Sequence, residues 1–297
     1  MFPESLDKHI CVLGHPYFHL YLVKGQRASA LVEIGISATA DAVIAQTASL
    51  GVMPDFLVVT HPHGDHICGL EALKKAFPGA AVVAGLGAAE FLSHSQTAES
   101  LIQEDCFMSS FINRQGFVVN RPAIHCSPSL SGCMFVEGGD ELDLGSVNVR
   151  FIVAKGHAPG NILAYIPESK ALFASDSLGY WFQEWSFFPI FFTGYSDYME
   201  TIDKMEVLKP KILGLAHHGI IRGADIERLF GEARKAARDV MSRIVNDIRE
   251  DETIAQDLMK DYYRDRLLIY TRENILACCR LLVRRAREYA TQMRPHT

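Results

Sequence analysis

The 297-residue chain has no uninterrupted apolar run near the roughly eighteen residues that cross a bilayer as a helix. Its first residues, Met1-Phe2-Pro3-Glu4-Ser5, show no basic segment leading into an apolar stretch, so no secretory signal is read there. The expected setting is the cytoplasm, with no membrane partner. Net basic charge is also missing. Lys and Arg number 29 against 35 Asp and Glu, a net charge of -6, which lacks the electrostatic footprint of nucleic-acid binding. The seven cysteines (Cys11, Cys68, Cys106, Cys126, Cys133, Cys278, Cys279) are odd in number and never spaced C-x-x-C, the usage of reduced thiols rather than of a disulfide framework or thiolate zinc site. Adjacent Cys278 and Cys279 read as helix packing. What is present is ordinary globular composition, 48% hydrophobic and 22% charged, in a chain long enough for one large domain or two modest ones.

The first half alternates short β-rich runs with helical ones, the pattern of sheets covered by helices. Val12 to Val23 and Ala30 to Ile34 read as early strands, and Thr39 to Leu50 as a helix closed by Gly51. Asp55 to Thr60 is almost continuously apolar, as a strand buried on both faces must be. Ile67 to Phe77 reads as a helix, Ala80 to Ala84 as a strand and Ala98 to Gln115 as a helix. Gly116 to Gly139 is rich in Pro, Ser and Gly and is expected to be irregular, with strands resuming from Glu141 to Ser175. After Gly223 the spacing turns helical through Ile226, Leu229, Phe230, Ala233, Ala237, Val240, Met241, Ile244 and Ile248, and again from Ile275 to Tyr289. The expected division is a domain over 1–223 and a helical extension over 224–297 packed on it.

Thr60-His61-Pro62-His63-Gly64-Asp65-His66 follows the Asp55 to Thr60 strand directly. His61 and His63, two apart in an extended segment, point to one side, while Asp65 and His66 open the next helix and can swing toward a second point. A chance H-x-H-x-D-H in such a chain is on the order of one in a thousand, so the motif is specific. Three more metal-type residues recur at predicted strand ends: His157 after Val147 to Ala154, Asp176 after Ala171 to Ser175, and His217 after Lys211 to Ala216. A site assembled from several loops requires this placement. A cluster of surface histidines, the bland alternative, does not. The other histidines (His9, His15, His19, His94, His125, His296) carry no assigned role.

These residues resemble the metallo-β-lactamase superfamily with a glyoxalase II-like ligand set. Leu31-Val32-Glu33-Ile34-Gly35, Gly156-His157-Ala158-Pro159-Gly160-Asn161 and Leu172-Phe173-Ala174-Ser175-Asp176 are similar to family motifs. The resemblance implies an α/β four-layer αβ/βα sandwich. It also implies two divalent metal ions, one on His61, His63 and His157, the other on Asp65, His66 and His217, with Asp176 bridging. The His-Gly pattern fits either His217 or His218; His217 comes first after the strand, leaving His218 for a substrate contact. Glu33 stands where the family more often has Asp, and Ser175 where Gly usually precedes the bridging Asp. Imidazole and carboxylate suit zinc, iron or manganese alike.

Paired metals make hydrolysis the natural reaction, with Asp65 available to help protonate the leaving group. The segment Gly179 to Phe192 holds both tryptophans and is expected near the cleft mouth, with Tyr180, Trp181, Phe182 and Trp185 as candidate substrate contacts. It competes with a dimer contact or packing under the helical tail. At finer grain, Ala30 to Ser37, His217 to Gly223 and the tail resemble the branch of quinolone-signal response thioesterases acting on 2-aminobenzoylacetyl-coenzyme A. That implies a small-molecule acyl substrate (thioester, ester or lactone) and admits a homodimer. Arg280, Arg284 and Arg287 share a helical face that reads as solvated or as an anion contact. A phosphodiesterase or nuclease, or a regulatory binding protein with a vestigial metal site, are the competing classes.

Overall fold

Pro16 and Tyr17 interrupt the apolar stretch that begins at Ile10, and the chain turns there. Ile10–His15 and Phe18–Lys24 pair antiparallel as a hairpin, so the early strands expected across Val12 to Val23 are two arms of one ribbon. The computed structural model describes residues 2–293; Met1 and residues 294–297, His296 among them, lie outside the description. By contacts the chain divides into two compact units. One holds the chain up to Val153, Pro159–Ser175 and Pro210–Arg222; the other holds Ala154–Ala158, Asp176–Lys209 and the chain from Gly223 on.

The first unit contains two sheets. Seven strands follow chain order: Glu4–Ser5, Ile10–His15, Phe18–Lys24, Ser29–Val32, Phe56–Val59, Ala81–Gly85 and Met134–Val136. Pairing is antiparallel up to Ser29–Val32 and parallel beyond it. Parallel neighbours need a crossover, and the helices Ala40–Ser49, Leu70–Ala76 and Ser95–Arg114 lie in those connections. Phe56–Val59 has a parallel partner on each side, which accounts for its unbroken apolar character. The second sheet has the order Gly219–Arg222, Ile212–Leu215, Ala171–Ser175, Ile162–Ile166, Asn148–Val153, Glu141–Asp143. Its one parallel pair, Ala171–Ser175 with Ile212–Leu215, shifts register between Phe173 and Ser175, a bulge that re-aims the strand's last residue.

The inner faces of both sheets share one core, in which Val12, Val23, Val32 and Val58 meet Val149, Phe151 and Ala164. Tyr21 stacks on Phe173 with centroids 4.2 Å apart and donates its hydroxyl to the Leu215 carbonyl at 2.7 Å. Such a ring pair contributes about 0.5–1.5 kcal/mol beyond area burial. The bonded hydroxyl removes the cost of burying it.

The second unit is helical apart from the ribbon Tyr180–Trp181 with Phe187–Phe188. Its helices are Tyr195–Val207, Ala224–Asn246, Asp251–Tyr262 and Arg272–Gln292. The stripe Ile226, Leu229, Phe230, Ala233, Ala237 and Ile244 is buried, as is Ile275, Cys279, Leu282, Ala286. Ile248, expected on the first stripe, is 99% exposed because the backbone leaves the helix at Asp247. The basic face of the last helix is engaged by acids of its own unit: Arg280 by Glu252, Arg284 by Glu288 and Arg287 by Asp251. No helix among the described residues is long and apolar enough to cross a membrane.

Candidate metal centre

The strand Phe56–Val59 delivers Thr60 and His61 in the first unit, and the short helix Gly64–Ile67 turns Asp65 and His66 back toward the strand end. His61, Asp65, His66 and His217 are buried and His63 is half-buried. The ligand-type atoms of Asp65, His66 and His217 lie within 4.8 Å of one another, and those of His61 and His63 do likewise. Asp65 Oδ2 is 3.2 Å from Nε2 of both His66 and His217, so three donors converge on one point. His217, not His218, belongs to this group among the described residues; His218 is half-buried.

The opposite nitrogen of each buried imidazole is committed. His66 Nδ1 lies 2.8 Å from Glu33 Oε2. His217 Nδ1 is 2.9 Å from the Tyr17 main-chain carbonyl. His61 Nδ1 faces the hydroxyls of Thr60 at 3.3 Å and Ser175 at 3.4 Å. Acceptors at Nδ1 fix the tautomer that carries its proton there and presents the Nε2 lone pair, the state in which imidazole binds a metal. Burial by itself raises the pKa of Asp65, but the charge of His66 and the hydrogen bonds of His217 and His66 outweigh it and hold the carboxyl well below the usual carboxylate range. A divalent cation would take the place of the Nε2 protons that face this carboxylate, and imidazole with carboxylate is a donor set that fits one.

His157 and Asp176 fall in the second unit, where His157 Nε2 is 3.8 Å from Asp176 Oδ2. His157 Nδ1 donates to the Ile190 carbonyl at 3.0 Å, the same fixing of tautomer by a main-chain group. Two glycines pin the backbone beside His157. Gly156 has φ +95°, and a Cβ there would lie 2.3 Å from the Tyr198 nitrogen. Gly160, back in the first unit, has φ +64°, and its Cβ would lie 2.5 Å from the Ala88 nitrogen. Only glycine tolerates that combination of left-handed backbone and close approach.

Of the expected substrate contacts, Tyr180 and Phe182 are buried, while Trp181 and Trp185 are half-buried with ring centroids 5.1 Å apart. Phe182 lies parallel to Tyr262 at 6.3 Å, and the Arg264 guanidinium lies 4.4 Å over its ring. Phe182 therefore packs under the helical tail. Arg228 covers Trp185 at 3.9 Å, a cation–π contact. Sequence reasoning missed Tyr17 and Ile190, which act through main-chain carbonyls that no residue pattern displays. Thr60 was visible only as the residue before His61.

This arrangement defines the class: the pattern of the metallo-beta-lactamase superfamily matches residues 19–217, and the chain belongs to that family. Among individual proteins, it is 26% identical over 212 residues to the metallo-beta-lactamase fold-containing protein ST1585 of Sulfurisphaera tokodaii, an alignment covering 68% of this chain and 73% of that one. It is 28% identical over 124 residues to the hydroxyacylglutathione hydrolase of Brucella ovis, covering 42% of this chain and only 34% of the hydrolase. The solved metallo-beta-lactamase family protein TTHA1429 of Thermus thermophilus superposes with a TM-score of 0.66 at 18% identity, over 97% of this chain and 95% of that one. The last likeness shows the fold, including a course of the chain shared through the C-terminal helices.

Proposed function

We propose that the chain is a dinuclear-metal hydrolase of a small acyl substrate, a thioester, ester or lactone. The observation that carries this reading is the convergence of Asp65, His66 and His217 on one point with each imidazole's far nitrogen engaged. His61, His63 and His157 would hold one ion, Asp65, His66 and His217 the other, with Asp176 between them. Chain continuity supports the inclusion of the last two from the other unit. Asp176 follows Ser175, whose hydroxyl lies against His61, and His157 sits in a five-residue segment joined at both ends to the first unit.

Divalent ions bound there, zinc, iron or manganese, would supply Lewis acidity and an activated water, so no serine or cysteine nucleophile is required. The protein's own part is positioning. Asp65, held ionised, serves as ligand and as acceptor rather than as proton donor in the metal-free protein. Trp181 and Trp185, half-buried in the segment after Asp176, would offer apolar surface to the acyl group. The net charge of -6 opposes a polyanionic substrate. The hydrolase named for hydroxyacylglutathione supports an acyl-group reaction by similarity, as does the motif resemblance to acyl-coenzyme A thioesterases.

The test is a panel of acyl thioesters, esters and lactones beside a chromogenic phosphodiester, assayed with metal-loaded protein and its Asp65→Asn variant. Turnover of a thioester or related ester above that of the phosphodiester, lost in the variant, is expected. Faster phosphodiester cleavage, or a blank panel with both metals bound, would refute the acyl assignment.

A further inference from the structure

Seven non-glycine residues have left-handed backbone among the described residues: Glu33, Lys170, Ser175, Glu184, Trp185, Lys209 and Asp265. Of these, Glu33 (φ 74°) and Ser175 (φ 49°) are the buried ones. Glu33 follows the strand Ser29–Val32 of one sheet and Ser175 ends the strand Ala171–Ser175 of the other, and their side chains meet at one hydroxyl, Thr60 Oγ1. Strained backbone persists only where the surrounding structure over-determines it, and such residues cluster at functional sites.

The proton order at this junction follows from counting. Thr60 has a single hydroxyl proton and donates it to Glu33 Oε2 at 2.9 Å. Toward Ser175, 3.2 Å away, Thr60 therefore accepts, and Ser175 donates. Ser175 then has only lone pairs left to offer His61 Nδ1 at 3.4 Å, so the imidazole donates. Glu33 Oε2 also accepts from His66 Nδ1 at 2.8 Å. His61 Nδ1 also faces Thr60 Oγ1 directly at 3.3 Å, so the bonds run from His61 to Thr60 both directly and through Ser175, then on to Glu33, and from His66 directly to the same carboxylate oxygen.

We infer that Ser175 and Thr60 are positioning residues that tie His61 to the Glu33 carboxylate, so that one buried acid sets the tautomer of imidazoles in both halves of the metal centre. The inference rests on the metal reading given above and adds residues that are not ligands. Ser175 is the informative member. A glycine there would suit the left-handed backbone better and would remove the hydroxyl together with its Cβ.

Two readouts on Ser175→Gly, Thr60→Val and Thr60→Ser decide it. In metal-free protein, ¹⁵N spectra of the histidine rings should show His61 as the Nδ1–H tautomer in the wild type and in Thr60→Ser. Thr60→Val, which removes the hydroxyl that both routes share, should show a mixture at His61, and Ser175→Gly a smaller admixture, because Thr60 Oγ1 still faces Nδ1 at 3.3 Å. In zinc competition against a chromogenic chelator, Ser175→Gly should weaken one of two zinc sites about tenfold, and Thr60→Val both, as loss of an outer partner does. The thermal midpoint of Ser175→Gly should not fall, because glycine relieves the backbone. If Ser175→Gly keeps the wild-type tautomer and both zinc affinities, or merely melts earlier, the positioning role is overturned while the metal centre stands. A wild-type protein that binds no zinc overturns both.

Discussion

In the first unit, His66 and His61 give their Nδ1 protons to side chains, the Glu33 carboxylate and the hydroxyls of Ser175 and Thr60. In the second, His157 gives its proton to the Ile190 main-chain carbonyl, beside Phe192 at 5.5 Å and a glycine that a methyl group would drive into Tyr198. The same requirement, an imidazole that carries its proton on Nδ1, is met for His66 and His61 by a charged buried network and for His157 by backbone placement and packing, as it is for His217 of the first unit through the Tyr17 carbonyl. The first kind is sensitive to single-atom chemical changes. The second is sensitive to shape.

That contrast can be broken at graded points. Asp65→Asn leaves the shape of the first unit intact but removes its central anionic donor, so hydrolysis should fall on the order of ten thousandfold with the far-ultraviolet spectrum unchanged. A fall of only a few-fold would contradict the role given to Asp65. Phe230, fully buried in the second unit, should act through packing alone. Phe230→Ala should cost about 3–4 kcal/mol in denaturant unfolding while turnover per folded, metal-loaded molecule holds. Gly156→Ala should cost about 1–3 kcal/mol and also weaken metal binding, because Tyr198 stands where the methyl must go. If isothermal titration finds both metal affinities intact, the backbone placement of His157 matters less than the geometry implies. Smallest of all, Arg280→Ala breaks an exposed ion pair with Glu252 and should leave both the melting temperature and activity unchanged within error.

The same division governs how much was legible in the sequence. The apolar D-F-L-V-V-T run and the H-x-H-x-D-H motif announced a buried strand feeding a cluster, and Ala171–Ser175 came out at the limits the residues suggested. Periodicity disclosed the stripes of Ala224–Asn246 and Arg272–Gln292, since each buries one face. It failed at Ile248, where the helix ends without a glycine or proline to mark it. The helix Tyr195–Val207, between two strands and only modestly amphipathic, left no comparable trace. At the site, side-chain donors were readable because their types and order are chemical. The carbonyls of Tyr17 and Ile190 were not, since every residue carries one and only the fold selects which faces an imidazole. Division of the chain was illegible for a related reason: Ala154–Ala158 and Asp176–Lys209 group with the helical tail by contacts that no boundary composition signals.

The proposed function requires seven side chains, His61, His63, Asp65, His66, His157, Asp176 and His217, to hold a pair of divalent ions. Equilibrium dialysis of metal-stripped protein against zinc, with metal counted by mass spectrometry, tests it most directly. The account predicts two ions per wild-type chain and fewer for both His66→Ala and His157→Ala. One ion or none for the wild type, or a count that neither substitution lowers, would contradict it.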